Sequence, residues 1–259
     1  MPTPAHALTP LAPNAPSLTE RTIEAVREAI RTGILVPGEL YSVYQLATEL
    51  GVSRSPVRDA LLRLAETGMV RFERNRGFRV LLPSPQDLAE MIAIRLALEV
   101  PAARRAALRT GPADVAALNA ACRAMESAAA TDDEAIFMLH DQRLHALILD
   151  LAGNGYARRI IDNLRDATRL TGASTVESSR SLADVYAEHL PIVTALTQQN
   201  AEGAALAMQH HIEQTGRLLL HDAVLRATPP PASPDSTDAA GAAPNAASVE
   251  LLLWDTLID

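Results

Sequence analysis

Apolar residues recur at the three-to-four-residue spacing of helices along most of the chain, and at the two-residue spacing of strands in one short stretch. Ile23, Val26 and Ile30 share one side of a helix predicted over 18–32, with Thr19 as its candidate N-cap and Gly33 at its end. Next, LATELGVSRSPVRDALLRLAETGM (46–69) divides into two short helical patterns joined by Gly51-Val52-Ser53. Leu46, Ala47 and Leu50 point inward from the first, and Val57, Ala60, Leu61 and Leu64 from the second. That is helix-turn-helix spacing. Val70 and Phe72, then Phe78 and Val80, flank a polar turn closed by Gly77, which predicts a β-hairpin, the wing of a winged helix. From Gln86 onward the pattern is helical over 86–109, 113–129, 132–152, 155–172, 179–198 and 202–226, with Pro101 and Pro191 expected to kink or split their helices. The expected fold is mainly α: an N-terminal winged helix-turn-helix and an all-α bundle of about six helices.

Composition marks the boundaries. Residues 1–17 hold five prolines without periodicity and are expected to be a disordered arm before a winged-helix domain at 18–82. Pro83 and Pro85 mark a linker at 83–86, the bundle spans 87–226, and the Pro- and Ala-rich residues 227–259 are expected to be a disordered tail. Its apolar end, Val249–Ile258 with Trp254, either docks as a short helix or hangs loose.

Charge separates the two halves. Between Gly51 and Arg79 seven arginines face three acids in a chain of net charge −8, whereas from Pro83 onward 13 arginines face 23 acids. The first region attracts nucleic acid and the second repels it. All 23 basic residues are arginine, which suits bidentate contacts to guanine and phosphate. Cys122 is the single cysteine, which excludes a disulfide framework and a cysteine metal cluster. No apolar run approaches the roughly 20 residues that span a bilayer, and a cytoplasmic protein without a membrane partner is expected.

Two sets of residues carry candidate chemistry. Ser53, Arg54, Ser55 and Arg58 occupy the outward face at the start of the second helix, where hydroxyls, guanidinium groups and a helix N-terminus meet phosphate oxygens and guanine edges; Arg74, Arg76 and Gly77 of the wing are the further DNA-contact candidates. In the bundle, Asp141 and His145 lie four apart on a stripe with Phe137, Leu144, Ile148 and Ala152; His189 lies with Leu182, Val185, Ile192 and Val193; His211 lies with Met208, Ile212 and Leu219. His140 and His210 fall on outer faces. Three imidazoles and one carboxylate converging from three helices suit a divalent ion such as zinc, nickel or manganese. The alternative is that each histidine is hydrogen-bonded in the core and Asp141 pairs with an arginine.

PGELYSVYQLATELGVSRSPVRDALLRLAETGMVRFERNRGFRV resembles the GntR winged helix in its PG turn, its LA pair, its GVSR-PVR-AL-RL run and its wing glycine, Gly77. It departs at Val43 and Tyr44, where the family usually carries polar residues. DQRLHALILDLAGN, EHLPIVTAL and AMQHHI are similar to segments of the FCD domain of FadR-type GntR regulators. This second resemblance implies a metal on Asp141, His145, His189 and His211. IAIRLALE resembles the start of that domain; its Arg95 either clamps an effector carboxylate, or snorkels to the surface or pairs with Glu99. Asn154 reads as a helix cap with a possible effector contact.

The expectation is a homodimeric transcription regulator, a repressor, that binds a pseudo-palindromic double-stranded DNA operator and responds to a small organic acid. Its rivals are a metal sensor and a metal-dependent hydrolase or lyase. No further inward carboxylate is evident on the metal stripes to serve a hydrolase as general base.

Overall fold

A computed structural model describes residues 16–170, 180–227 and 246–257. They form two compact units, one reaching Val80 and one comprising Leu81 onward with Thr67–Met69.

In the first unit, α1 (Leu18–Arg31) begins at Ser17, not Thr19, because Ser17 and Glu20 form a reciprocal capping box: the Glu20 N–H donates to Ser17 Oγ at 3.1 Å and the Ser17 N–H to Glu20 Oε2 at 2.7 Å. There follow β1 (Leu40–Tyr41), α2 (Val43–Glu49), α3 (Arg54–Glu66), β2 (Val70–Glu73) and β3 (Gly77–Val80). The predicted inward residues of α3 are all buried, as are Leu46 and Ala47 of α2, while Leu50 is half-buried. The three strands form an antiparallel sheet in the order β1-β3-β2, with Phe72 opposite Phe78 and Tyr41 also opposite Phe78. β1 was not foreseen, since two residues carry no periodicity and it exists only through pairing with β3.

Gly77 is required by that pairing. Its φ is +129°, and a Cβ there would lie 2.0 Å from the Tyr41 carbonyl oxygen.

The second unit contains α4 (Pro85–Ala107), α5 (Pro112–Ala130), α6 (Glu134–Ala152), α7 (Gly155–Leu170), α8 (Leu182–Thr197) and α9 (Ala201–Ala227), the six predicted helices, and α10 (Ala246–Leu257). Three expectations are corrected. The linker at 83–86 is shortened because Ser84 caps α4 through a capping box with Asp87, so Pro85 and Gln86 are already in the first turn. Of the kink or split expected at Pro101 and Pro191, the split does not occur: each proline lies inside one continuous helix and removes a single N–H. The tail is not disordered throughout, because 246–257 are helical: Trp254 is buried in the main core, packed with Val249 and Leu253, and Arg217 stacks 3.9 Å from its ring centroid. The arm at 1–15 and residues 228–245 lie outside the described residues. No helix among the described residues is long and apolar enough to cross a membrane.

The α4–α9 contact is close because Gly216 faces Ile92; a Cβ on Gly216 would come within 2.9 Å of Ile92 Cγ2. Around it lie Phe137, Leu144, Ile148, Leu182, Ile192 and Ile212, all fully or almost fully buried. They surround the site described below.

Gly77→Ala is expected to destabilise the winged-helix unit by about 1 to 3 kcal/mol or more, because backbone strain and the collision with Tyr41 add. Gly38→Ala, at φ +87° with nothing within 4 Å, should cost only about 1 kcal/mol. Thermal unfolding of the two variants checks the order.

Candidate functional site

Asp141 and His145 from α6, His189 from α8 and His211 from α9 meet inside the bundle, all 4% exposed or less. One ligand atom from each lies within 4.8 Å of the other three. The stripes that place them are the ones read from the sequence, and His210 is exposed, which fixes the register of α9 on His211.

Each ring is oriented by a partner at Nδ1. His145 Nδ1 lies 2.5 Å from Glu99 Oε2, His189 Nδ1 2.7 Å from the Val185 carbonyl and His211 Nδ1 3.2 Å from Glu188 Oε2. An Nδ1–H donating to these acceptors leaves the lone pair on Nε2, the arrangement a metal-bound imidazole uses. The Nε2 atoms of His145 and His189 are buried without a hydrogen-bond partner. His189 Nε2 lies 3.0 Å from Asp141 Oδ1, but without hydrogen-bond alignment. Two acceptors so close repel, and a buried acceptor left unpaired costs about 1 to 3 kcal/mol. A cation between them removes both penalties, so the donor set fits a divalent ion.

The charge states suit that role. Burial alone would raise the Asp141 pKa, but the Arg165 guanidinium, hydrogen-bonded to Oδ2, holds it well below the usual carboxylate range. Burial, followed by the charge of Arg165, lowers His145 to about 4 against the pull of Glu99. His211 is pushed well down by burial and then by the other two histidines. Asp141 thus offers an anionic oxygen, and His145 and His211 neutral imidazole nitrogens.

A cavity of about 70 Å³ opens beside the cluster, sharing Asp141 and His211 with it. Arg95, Arg165 and Arg180 line it, with Met138, Val185 and Leu219 as its apolar wall. Arg95 does not snorkel: it is buried, its Nε donates to Glu99 Oε1 at 2.7 Å, and its Nη2 has no partner. Arg180 is held by Glu188 at 2.5 Å and by Thr215 at 3.1 Å. Asn154 is not brought to this cavity. It is exposed, and its Oδ1 accepts from the Ala157 N–H at 3.1 Å, capping α7.

On the winged-helix unit, Ser53, Arg54, Ser55 and Arg58 are all exposed along the start of α3. The Arg54 guanidinium stands 5.8 Å from the ring centroid of exposed Tyr44. Arg74 and Arg76 are exposed at the wing tip around Asn75, whose φ is +59°. Arg79 is used internally, bonded to Glu73 and to the Gly38 carbonyl.

Residues 18–80 match the model for bacterial regulatory proteins of the gntR family, and residues 90–214 match the FCD domain. A protein of Agrobacterium vitis, an uncharacterized HTH-type transcriptional regulator in the TAR-I ttuE-ttuC' intergenic region, is 35% identical over 154 residues, which is 57% of this chain and 90% of that one. The chain belongs to the GntR family. This GntR regulator is also 30% identical, over 71% of its length and 80% of the relative's, to a protein of Paenarthrobacter nicotinovorans named a probable D-xylose utilization operon transcriptional repressor. Its fold is that of E. coli McbR/YncC, with a TM-score of 0.70 at 22% identity over 80% of this chain and 99% of that one.

GntR regulators bind DNA to control transcription, so the hydrolase or lyase alternative is set aside. Two carboxylates reach the histidines from off the metal stripes, Glu99 from α4 and Glu188 from the position next to His189, and neither was foreseen. Arg165 was also missed, although it lies four residues after buried Ile161 on α7, and a charge on an apolar stripe was a readable signal.

Replacing Asp141, His145, His189 or His211 of the GntR regulator by Ala is expected to strip or greatly weaken bound metal, measured by elemental analysis after desalting. Chelator should lower the melting temperature of the unmodified chain and hardly move that of His189→Ala, since an ion bound only by the folded state stabilises it by mass action. His210→Ala should retain metal.

Proposed function

We propose that this GntR regulator is a homodimeric repressor whose bundle binds a divalent ion, zinc, nickel or manganese, together with a small carboxylate-bearing metabolite that controls operator binding. The observation that carries this reading is the buried, unpartnered Nη2 of Arg95, a residue lining a cavity that shares Asp141 and His211 with the histidine cluster. An orphaned, buried guanidinium N–H is matched best by a carboxylate oxygen. Asp141, His145, His189 and His211 would hold the ion, which would supply a fixed positive charge for the same ligand. Arg95 orients the carboxylate, and Met138, Val185 and Leu219 exclude water from its carbon skeleton. The arginine-lined cavity favours an organic anion as the signal over the metal alone. Similarity to the Paenarthrobacter repressor supports repression as the mode of action.

On the DNA side, α3 would enter the major groove with Arg54 and Arg58 at base edges, and Arg74 and Arg76 would meet backbone phosphates. A two-fold dimer requires a pseudo-palindromic operator. The metabolite would favour a bundle arrangement in which the two wings no longer fit both half-sites, by no more than its differential affinity for the two states.

Arg54→Ala and Arg58→Ala should each weaken specific operator binding by about 1 to 3 kcal/mol, whereas Arg74→Ala and Arg76→Ala should act alike on all sequences and reduce the salt slope. Fluorescence anisotropy on an operator fragment measures both. In the same assay, a small carboxylic acid should release the metal-loaded protein from DNA, and Arg95→Ala, although less stable, should lose that response while its folded fraction still binds the operator. Release by metal alone, with no acid having any effect, would replace this reading with a metal sensor.

A further inference from the structure

Glu99 lies at the junction of the two parts of the site. Its side chain is 1% exposed, and each of its oxygens meets a different partner: Oε1 accepts from Arg95 Nε at 2.7 Å, and Oε2 faces His145 Nδ1 at 2.5 Å. With Nε fixed in this way, the guanidinium of Arg95, whose side chain lines the cavity, keeps a buried Nη2 without a partner. With Nδ1 fixed, the imidazole of His145 turns its unpartnered Nε2 toward Asp141 and the other histidines.

We infer that Glu99 is a positioning residue that sets the anion clamp Arg95 and the metal ligand His145 together, so that the two functions of the site share one carboxylate. The inference rests on the metal and effector reading above. The charge of Glu99 is secured by its surroundings: burial would raise its pKa, and Arg95, then His145, hold it below the ordinary carboxylate range.

The chemistry of the pair makes the role specific. A carboxylate offers an acceptor on both oxygens, whereas a carboxamide of the same shape offers one acceptor and one donor. Glu99→Gln therefore cannot accept from Arg95 and His145 at once. Arg95 carries only donors and cannot adapt, but an imidazole can move its proton from one nitrogen to the other. The conflict resolves on His145: the amide N–H₂ faces Nδ1, the proton moves to Nε2, and the ring loses the lone pair that points at the cluster.

The test uses the full-length chain, with zinc as the probe, in competition with a chromophoric chelator. Glu99→Gln is expected to bind zinc about 10- to 100-fold more weakly than the unmodified chain, the usual effect of removing a partner behind a ligating histidine. Imidazole ¹⁵N spectra of the metal-free proteins should show His145 protonated at Nδ1 in the unmodified chain and at Nε2 in the variant, a change that a merely structural role would not produce. Wild-type zinc affinity in the variant with an unchanged tautomer overturns the inference. Should Glu99→Gln not fold, the unmodified chain decides alone, since His145 protonated at Nε2 would also overturn it. If the unmodified chain binds no zinc, the metal reading fails, and the tautomers still decide the role of Glu99.

Discussion

Charge buried inside a helical bundle must be answered locally, and this requirement governs the second unit. Arg95, Glu99, Asp141 and Arg165 are each at most 7% exposed, with His145 between the two carboxylates. They run Arg95, Glu99, His145, Asp141, Arg165, each member touching the next across α4, α6 and α7. Removing one partner from such a chain strands a charge in low dielectric at a cost of about 3 to 5 kcal/mol, far above that of a surface ion pair. A helix sliding by one turn would strand several at once. The chain of charges therefore selects the register of the helices, while Phe137, Leu144, Ile148 and Ile192 supply the apolar burial that holds them together.

Much of this was legible because helices repeat. The spacing of Asp141 and His145, and the stripes through His189 and His211, follow from 3.6 residues per turn. The same arithmetic separated His211 from His210. Periodicity reports only which face of a helix is inward, however, and not which inward faces meet. Glu99 could be paired with Arg95 four residues away, but its second oxygen serves His145, 46 positions later. Arg165 answers Asp141 from 24 positions away, so one reading of Asp141, an arginine partner, and the other, a place among three histidines, both hold for the same carboxylate.

Local chemistry accounts for the other differences. Ser17 and Ser84 took the caps because each has an acid three residues on, a reciprocal bond that outranks a lone Thr or a proline-marked linker. The strand at Leu40–Tyr41 depends wholly on its neighbour, and Gly77 is placed where β3 passes under the Tyr41 carbonyl. That glycine, expected at the DNA surface from its place in the wing, has a backbone reason to be there.

Trp254 gives α10 an anchor on α4 and α9, the two helices that carry Arg95, Glu99 and His211. Because α10 belongs to the same chain as the helix it covers, 18 residues further on, its docking is an intramolecular event governed by an effective concentration rather than by the concentration of the protein. A contact too weak to form between separate molecules is then kept closed. A polypeptide ending at Ala227 would lose that cover and present the indole's seat to solvent, an apolar strip on the outside of the helices that build the site, open to a neighbouring molecule.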